Sequence, residues 1–188
     1  NNTGLTNRTP SVSVPMVSMD SSIFLERDIN WLANHKQTFE PRVFYIKTKF
    51  EDQSALPDFD TREFTPSYDL LFSENRFNGG DRISDEERLT VAFTSRFIDQ
   101  DSGQERFRVS IAQSLYYSDR LVTLSSSPTV SELAELTRNQ SPLALELAAR
   151  LAKNWRFTSD LIYDNHDNDL EKSSVGVRYN DRENRLFN

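Results

Sequence analysis

Residues able to support acid–base, nucleophilic or metal chemistry are few in this sequence of 188 residues. It contains no cysteine, which excludes disulfides, thiolate metal sites and a cysteine nucleophile within these residues. Its two histidines, His35 and His166, have no histidine or cysteine partner close to them in sequence. The acid-rich segment 164–171 offers the oxygen ligands that calcium prefers, but it lacks the glycine and the glutamate spacing of a calcium loop. We interpret both histidines as solvated turn or loop residues and the segment as a polar hairpin loop.

Other polar motifs are equally weak as catalytic signals. Asn78–Asp81 (NGGD) has neither a strand–loop–helix context nor a following lysine, so we interpret it as a tight turn rather than a phosphate loop. Carboxylates such as Asp58 and Asp60 are too common, in a chain with 29 acidic residues, to indicate a general acid–base pair. The sequence therefore predicts a protein that is not an enzyme and uses no cofactor or metal ion.

A set of regularly spaced charged residues is the better candidate for function. Its members alternate with apolar residues, which places them together on the polar face of a sheet. On the inner face of a membrane barrel such charges cost little and meet polar or anionic molecules, whereas on a soluble sheet they are only a solvated surface. The candidates for facing a barrel lumen are Glu40, Arg42, Arg88, Arg96, Arg106 and Arg108.

Composition limits the kinds of protein that can position this set. The length fits a single domain of about 150 residues. The net charge of −7 has the wrong sign for a basic nucleic-acid binder, so we predict no nucleic-acid partner. With a mean hydropathy of −0.65, no stretch approaches the apolar length of a membrane-spanning helix. The 13 Phe, 6 Tyr and 2 Trp are nevertheless too many for a disordered chain.

Alternation with period two is the strongest structural signal. Along 88–98 and 106–117 apolar side chains fall at every second position, and the turn residues of 100–104 join the two runs as a β-hairpin. The same pattern, at unequal strength, predicts seven strands of about ten residues each, which is longer than usual in soluble sheets. The predicted strands are 16–27, 38–50, 88–98, 106–117, 142–152, 155–164 and 172–181.

Two segments also have helical features. Ser141 and Pro142 followed by 143–150 (LALELAAR) have the cap, proline and residue types of a helix, although the leucines alternate as in a strand. Whether 142–152 is strand or helix therefore stays open. Thr129 and Glu132 have the spacing of a capping box, which predicts a short helix over 129–137 inside a loop.

The connections and the aromatic residues favour a transmembrane barrel. Successive connections are alternately short and long, so an up-and-down meander has small turns at one end and long loops at the other. Aromatic rings collect at membrane interfaces. Near the short turns lie Trp31, Phe39, Phe97, Phe107, Trp155 and Phe157, and near the other ends lie Tyr45, Tyr116, Tyr117 and Tyr163. The alternative is a soluble secreted β-sandwich that packs these aromatics in its core and binds a ligand through its loops.

Several motifs resemble one protein family over nearly the whole chain, from about Thr9 to Leu186. The longest is Leu71–Ile83 (LFSENRFNGGDRI). Others are Gln37–Arg42 (QTFEPR), Leu89–Phe97 (LTVAFTSRF), Glu105–Tyr117 (ERFRVSIAQSLYY) and Lys172–Tyr179 (KSSVGVRY). In their order and spacing these segments resemble the LPS-assembly protein LptD family. A general diffusion porin shares the architecture but not the match at Asn75–Ile83.

The resemblance implies a fold, a function and partners. Members of that family form an outer-membrane β-barrel of Gram-negative bacteria, preceded by a periplasmic jellyroll, that inserts lipopolysaccharide (LPS) into the outer leaflet. The lipoprotein LptE plugs the barrel, and LptA delivers LPS to the jellyroll. Residues 1–188 are then expected to be part of the barrel, in contact with outer-membrane lipid, with short turns periplasmic and loops extracellular. Glu51–Glu87 is expected to be a long outer loop folded over the opening, and the luminal arginines are expected to meet phosphorylated sugars or LptE.

Overall fold

A computed structural model describes residues 11–29, 34–125, 127–180 and 186–187, and in this part the chain is all-β. The strands are β1 (Met16–Ser22), β2 (Leu25–Asp28), β3 (His35–Thr48), β4 (Glu86–Asp99), β5 (Glu105–Tyr116), β6 (Leu143–Ala152), β7 (Trp155–Asp164), β8 (Asp169–Asn180) and β9 (Leu186–Phe187). A 3₁₀ helix (Asp69–Phe72) and the helix α1 (Val130–Leu136) lie in the two long connections.

The strands form one antiparallel sheet in which each strand from β3 to β9 pairs with the next, so the predicted meander is confirmed. The predicted strand 16–27 is interrupted at Ile23 and Phe24, and its two parts, β1 and β2, both pair with β3. At the other edge two residues of β9 pair with the end of β8. Because β8 begins at Asp169, the loop before it is shorter than the predicted 165–171.

Cross-strand pairing places the even-numbered residues of β1 and β3–β7 on one face. Ala92, for example, pairs with Arg42 on one side and with Ala112 on the other, and Ala112 in turn pairs with Ala144. In β8 the even-numbered residues from Lys172 onward lie on this same face. We call this the polar face, since it bears the charged residues, and the opposite one the apolar face.

Burial on the two faces is the reverse of that in a soluble sheet. On the apolar face Phe93 and Val175 are 43% and 69% exposed, whereas on the polar face Thr90 and Ser114 are each 0% exposed. The described residues form a single sheet, so no second sheet covers the apolar face as a β-sandwich would require.

The segment with helical propensity is a strand. β6 is hydrogen-bonded on both sides, to β5 and to β7, and this pairing outweighs the local preference for a helix. Its alternating leucines lie on the apolar face, while Ala144 and Ala148 are buried on the polar face. Period-two alternation was therefore the better guide here.

A loop covers the half of the polar face that is farther from the short turns. The 3₁₀ helix places Leu71, 9% exposed, against Ala92, Ala112, Ala144 and Ile162. These residues form one cross-strand row, and the three alanines leave room for the helix. The connection 49–85, which corresponds to the predicted loop Glu51–Glu87, thus folds over the polar face, and the only apolar cluster of the described residues lies between the two.

Most of the predicted aromatic belt residues lie on the apolar face. Phe97 and Phe107 pack edge to face at 5.8 Å, and Trp155 contacts Tyr179 at 4.9 Å, in both cases near short turns. Tyr116 was assigned wrongly: it lies on the polar face, where the guanidinium of Arg120 stacks on its ring at 3.8 Å. Trp31 lies outside the described residues. Among the described residues no helix is long and apolar enough to cross a bilayer.

The predicted capping box is present at α1. The Thr129 hydroxyl accepts a hydrogen bond from the Glu132 backbone N–H at 3.2 Å, and the Glu132 carboxylate accepts one from the Thr129 N–H at 2.6 Å. This second bond lowers the pKa of Glu132. A lowered pKa means that the charged carboxylate stabilises the folded cap, so this contribution is present at neutral pH and disappears as the pH falls through the lowered value.

We expect Thr129→Ala to destabilise α1 by about 1 kcal/mol, because it removes the N-cap acceptor. Hydrogen exchange of the α1 amides measures the effect as lower protection. Ser131→Ala is the matched control, since Ser131 lies in the same turn, is exposed and caps nothing. Equal protection in Thr129→Ala and wild type would show that the cap contributes nothing.

Candidate functional site

All six candidate charges occupy polar-face positions, and three of them, Glu40, Arg96 and Arg108, meet near the short turns. Arg96 bonds the Glu40 carboxylate and lies 3.1 Å from Glu105, whose other oxygen is 3.9 Å from Arg108 Nε. Glu40 is buried and also accepts a hydrogen bond from the Thr38 hydroxyl at 2.7 Å. Arg106 lies apart from this network and pairs with Asp99 at 2.9 Å.

The other two candidates contact the covering loop. Arg42 makes two hydrogen bonds to Asp20, at 2.9 and 2.5 Å, and its guanidinium lies 3.9 Å above the Phe72 ring. Arg88 is buried, lies 3.4 Å from Glu86 and donates to the Ser73 carbonyl at 2.5 Å. All five candidate arginines thus have carboxylate partners within the chain, and Arg88 serves to hold the loop.

The two long connections, 49–85 and 117–142, are bonded to each other; we call them together the loop cover. The buried Asp85 carboxylate accepts the backbone N–H groups of Leu121, at 2.8 and 3.0 Å, and Val122, at 2.8 Å. In the opposite direction Arg76 donates to the Val122 carbonyl and lies 3.3 Å from Glu63. Burial lowers the pKa of Arg76, which the neighbouring carboxylates oppose.

A second set of charges fixes the end of the 117–142 connection. Arg138 lies 2.6 Å from Asp164 and 2.8 Å from both Asp167 and Glu135. These three carboxylates are also the one group among the described residues close enough to hold a metal ion. The Arg138 guanidinium already supplies positive charge to all three, so the segment 164–171 acts as a polar hairpin loop tied to α1.

A cavity of about 180 Å³ remains beneath the loop cover. Its walls include the half-buried Arg76, 3.3 Å from Glu63, and the buried Arg88, 3.4 Å from Glu86. The charges around this cavity are therefore balanced within the chain.

One cluster was missed by the sequence analysis. Arg150, Arg156 and Arg178 are directly opposite one another on β6, β7 and β8, on the polar face next to the short turn 153–154. We call these three the arginine row. Each occupies a polar position of an alternating segment, but only the register between strands brings them together, and the register could not be obtained from the sequence.

Comparisons with known proteins agree with these features. The LptD family, described as LPS transport system D, matches residues 1–188. An LPS-assembly protein LptD of Pseudomonas fluorescens is 38% identical over 95% of this chain and 19% of its own length. Those of Alcanivorax borkumensis and Nitrosococcus oceani are 41% and 37% identical, over 90% and 97% of this chain and 22% and 24% of their own lengths. The chain thus spans about a fifth to a quarter of these relatives, and it belongs to the LptD family.

Proposed function

We propose that this chain is a segment of an outer-membrane β-barrel that carries LPS to the outer leaflet. The observation that supports this best is the reversed burial: large apolar side chains are exposed on one face, while the polar face is covered and bears the ion pairs. Lipid outside and water inside is the environment in which this distribution is stable. Membership of the LptD family is the reason for naming LPS as the transported molecule.

A barrel also accounts for the open edges of the sheet. β1 with β2 at one edge and β9 at the other have unpaired sides in the described residues, and unsatisfied backbone groups are not tolerated in lipid. The match covers only 19% of the Pseudomonas relative, which therefore has ample length outside the matched part for closing strands and a periplasmic jellyroll. Residues 1–188 are on this proposal one part of the barrel.

Orientation and partners follow from the same proposal. The loop cover lies outside the cell and the short turns lie in the periplasm, as in other barrels of this kind. The polar face, with Glu40, Arg96 and Arg108, borders the lumen that LptE plugs, while LptA acts through the periplasmic domain. The chain is a conduit rather than a catalyst, and the sugar phosphates of LPS are the chemical groups its luminal arginines meet.

The test is the behaviour of the full-length protein. We expect it to leave the membrane fraction only with detergent and to run faster on a gel before boiling than after, since a closed barrel resists unfolding by detergent. Supplying the gene to cells depleted of their own LptD should restore LPS to the cell surface. A protein that is soluble without detergent, with one mobility before and after boiling, would show that the barrel is wrong.

A further inference from the structure

The arginine row is an unusual concentration of positive charge in a chain whose net charge is −7. Adjacent strands are about 4.8 Å apart, so its three side chains start within about 10 Å of one another. Like charges directly opposite each other destabilise a sheet unless something compensates them. Lys153, in the turn beside the row, adds a fourth cation.

The row lines a groove of about 380 Å³, which we call the short-turn groove. Apart from the row and Lys153, its described lining residues are neutral, and they include no Asp or Glu. Within the described part of the chain Arg150 has one neutral partner, Gln104 Oε1 at 2.8 Å, and neither Arg150 nor Arg156 has a carboxylate within 4 Å. This distinguishes them from the five candidate arginines, which all have a carboxylate within 4 Å.

The surrounding sheet leaves space for a ligand. The next cross-strand row toward the loop cover consists of Ala148, Thr158 and Gly176, whose side chains are small. The row beyond it contains the carboxylates Glu146 and Asp160, four residues along the strands from the arginines and so about 13 Å away. Along β6 and β7, an anion at the arginine row therefore lies closer to the guanidinium groups of Arg150 and Arg156 than to these two carboxylates.

We propose that the short-turn groove binds a phosphate group of a phosphorylated saccharide, with Arg150 and Arg156 as its main donors. Guanidinium groups bind phosphate through paired hydrogen bonds, and two of them on neighbouring strands match a doubly charged anion. The source is a saccharide rather than a bilayer phospholipid, because the row occupies polar-face positions, whereas the neighbouring Val177 and Tyr179 belong to the apolar face. This inference rests on the proposed function, in which the polar face borders water.

Binding of N-acetylglucosamine 1-phosphate to the full-length protein in detergent, measured by calorimetry at low salt, tests the site. We expect the double variant Arg150→Gln/Arg156→Gln to bind at least about tenfold more weakly than wild type, because charged hydrogen bonds are lost. Unphosphorylated N-acetylglucosamine should not bind, and added salt should weaken binding of the phosphate. Arg27→Gln is the matched control: it removes one charge near the short turns but on the apolar face.

Equal affinity in the double variant and wild type, or no binding to wild type, would overturn the proposal. Preferential binding of an acidic peptide, or of nanodiscs containing phosphatidylglycerol, would overturn it in favour of a protein partner or a bilayer lipid. Heat-modifiable mobility of each variant shows whether the barrel has folded. A protein that passes this test and restores surface LPS, but does not bind the sugar phosphate, would refute the site alone and leave the proposed function standing.

Discussion

Leu71→Asp is expected to release the connection 49–85 from the polar face of the full-length protein. Leu71 is buried against Ala92, Ala112 and Ala144, and a charged carboxylate cannot replace those contacts. Loss of a buried leucine alone costs at least about 2 kcal/mol, which enlarges the undocked population roughly 30-fold. The rate at which protease cleaves within 49–85, followed by mass spectrometry in detergent, measures that population. In cells the same change should increase sensitivity to large antibiotics that wild-type cells exclude.

Phe59→Asp provides the matched control for this experiment. Phe59 lies in the same connection but is 82% exposed, so the same charge there should leave cleavage and antibiotic sensitivity near wild type. Unchanged cleavage in Leu71→Asp would mean that the loop is held by its polar contacts, such as those of Arg88, and that its apolar contacts are dispensable.

Asp85→Asn should separate the two connections of the loop cover, although the side chain at position 85 keeps nearly the same volume. The Asp85 carboxylate accepts the N–H groups of Leu121 and Val122 while buried. Hydrogen bonds to a charged group contribute about 1.5–3 kcal/mol, and an amide presents only one acceptor oxygen in place of two. Hydrogen exchange in peptides covering 117–125 should therefore accelerate by roughly tenfold or more.

Asp52→Asn is the matched control, because it removes an acidic charge from the same connection without removing a bond between the two connections. Asp52 is exposed, and its carboxylate is bonded to Ser54, two residues away in the same turn. Its variant should exchange like wild type across 117–125. If Asp85→Asn also exchanged like wild type there, the bonds to Leu121 and Val122 would not be what joins the two connections.

Period-two alternation predicted the faces of the sheet because antiparallel pairing preserves them from strand to strand. Arg96 and Arg108, assigned to one face from sequence, are directly opposite each other. The same alternation correctly favoured a strand at β6, where residue preferences favoured a helix. Proximity to a strand end was a poorer guide, and it misplaced Tyr116.

The bonds between the two connections and the arginine row could not be predicted from the sequence, for different reasons. The bonds from Asp85 to Leu121 and Val122 join irregular segments far apart in the chain, and irregular backbone has no period to detect. The arginine row is made of regular positions, but which residue of β7 opposes Arg150 depends on the length and shape of the turn. The alternation within each segment does not determine which residues of two neighbouring strands are opposite each other.

The pairing of the sheet shifts register at only three places in the paths joining β4 to β8: between Phe97 and Ile98, Arg150 and Ala152, and Ile162 and Tyr163. All three lie within a few residues of strand ends. A single inserted residue next to one of them alters one turn, whereas the same insertion inside β4 exchanges the side chains of the apolar and polar faces along the rest of the strand. Changes in chain length during the evolution of this sheet are therefore expected to be accommodated at its rims, while its middle keeps a fixed count of residues.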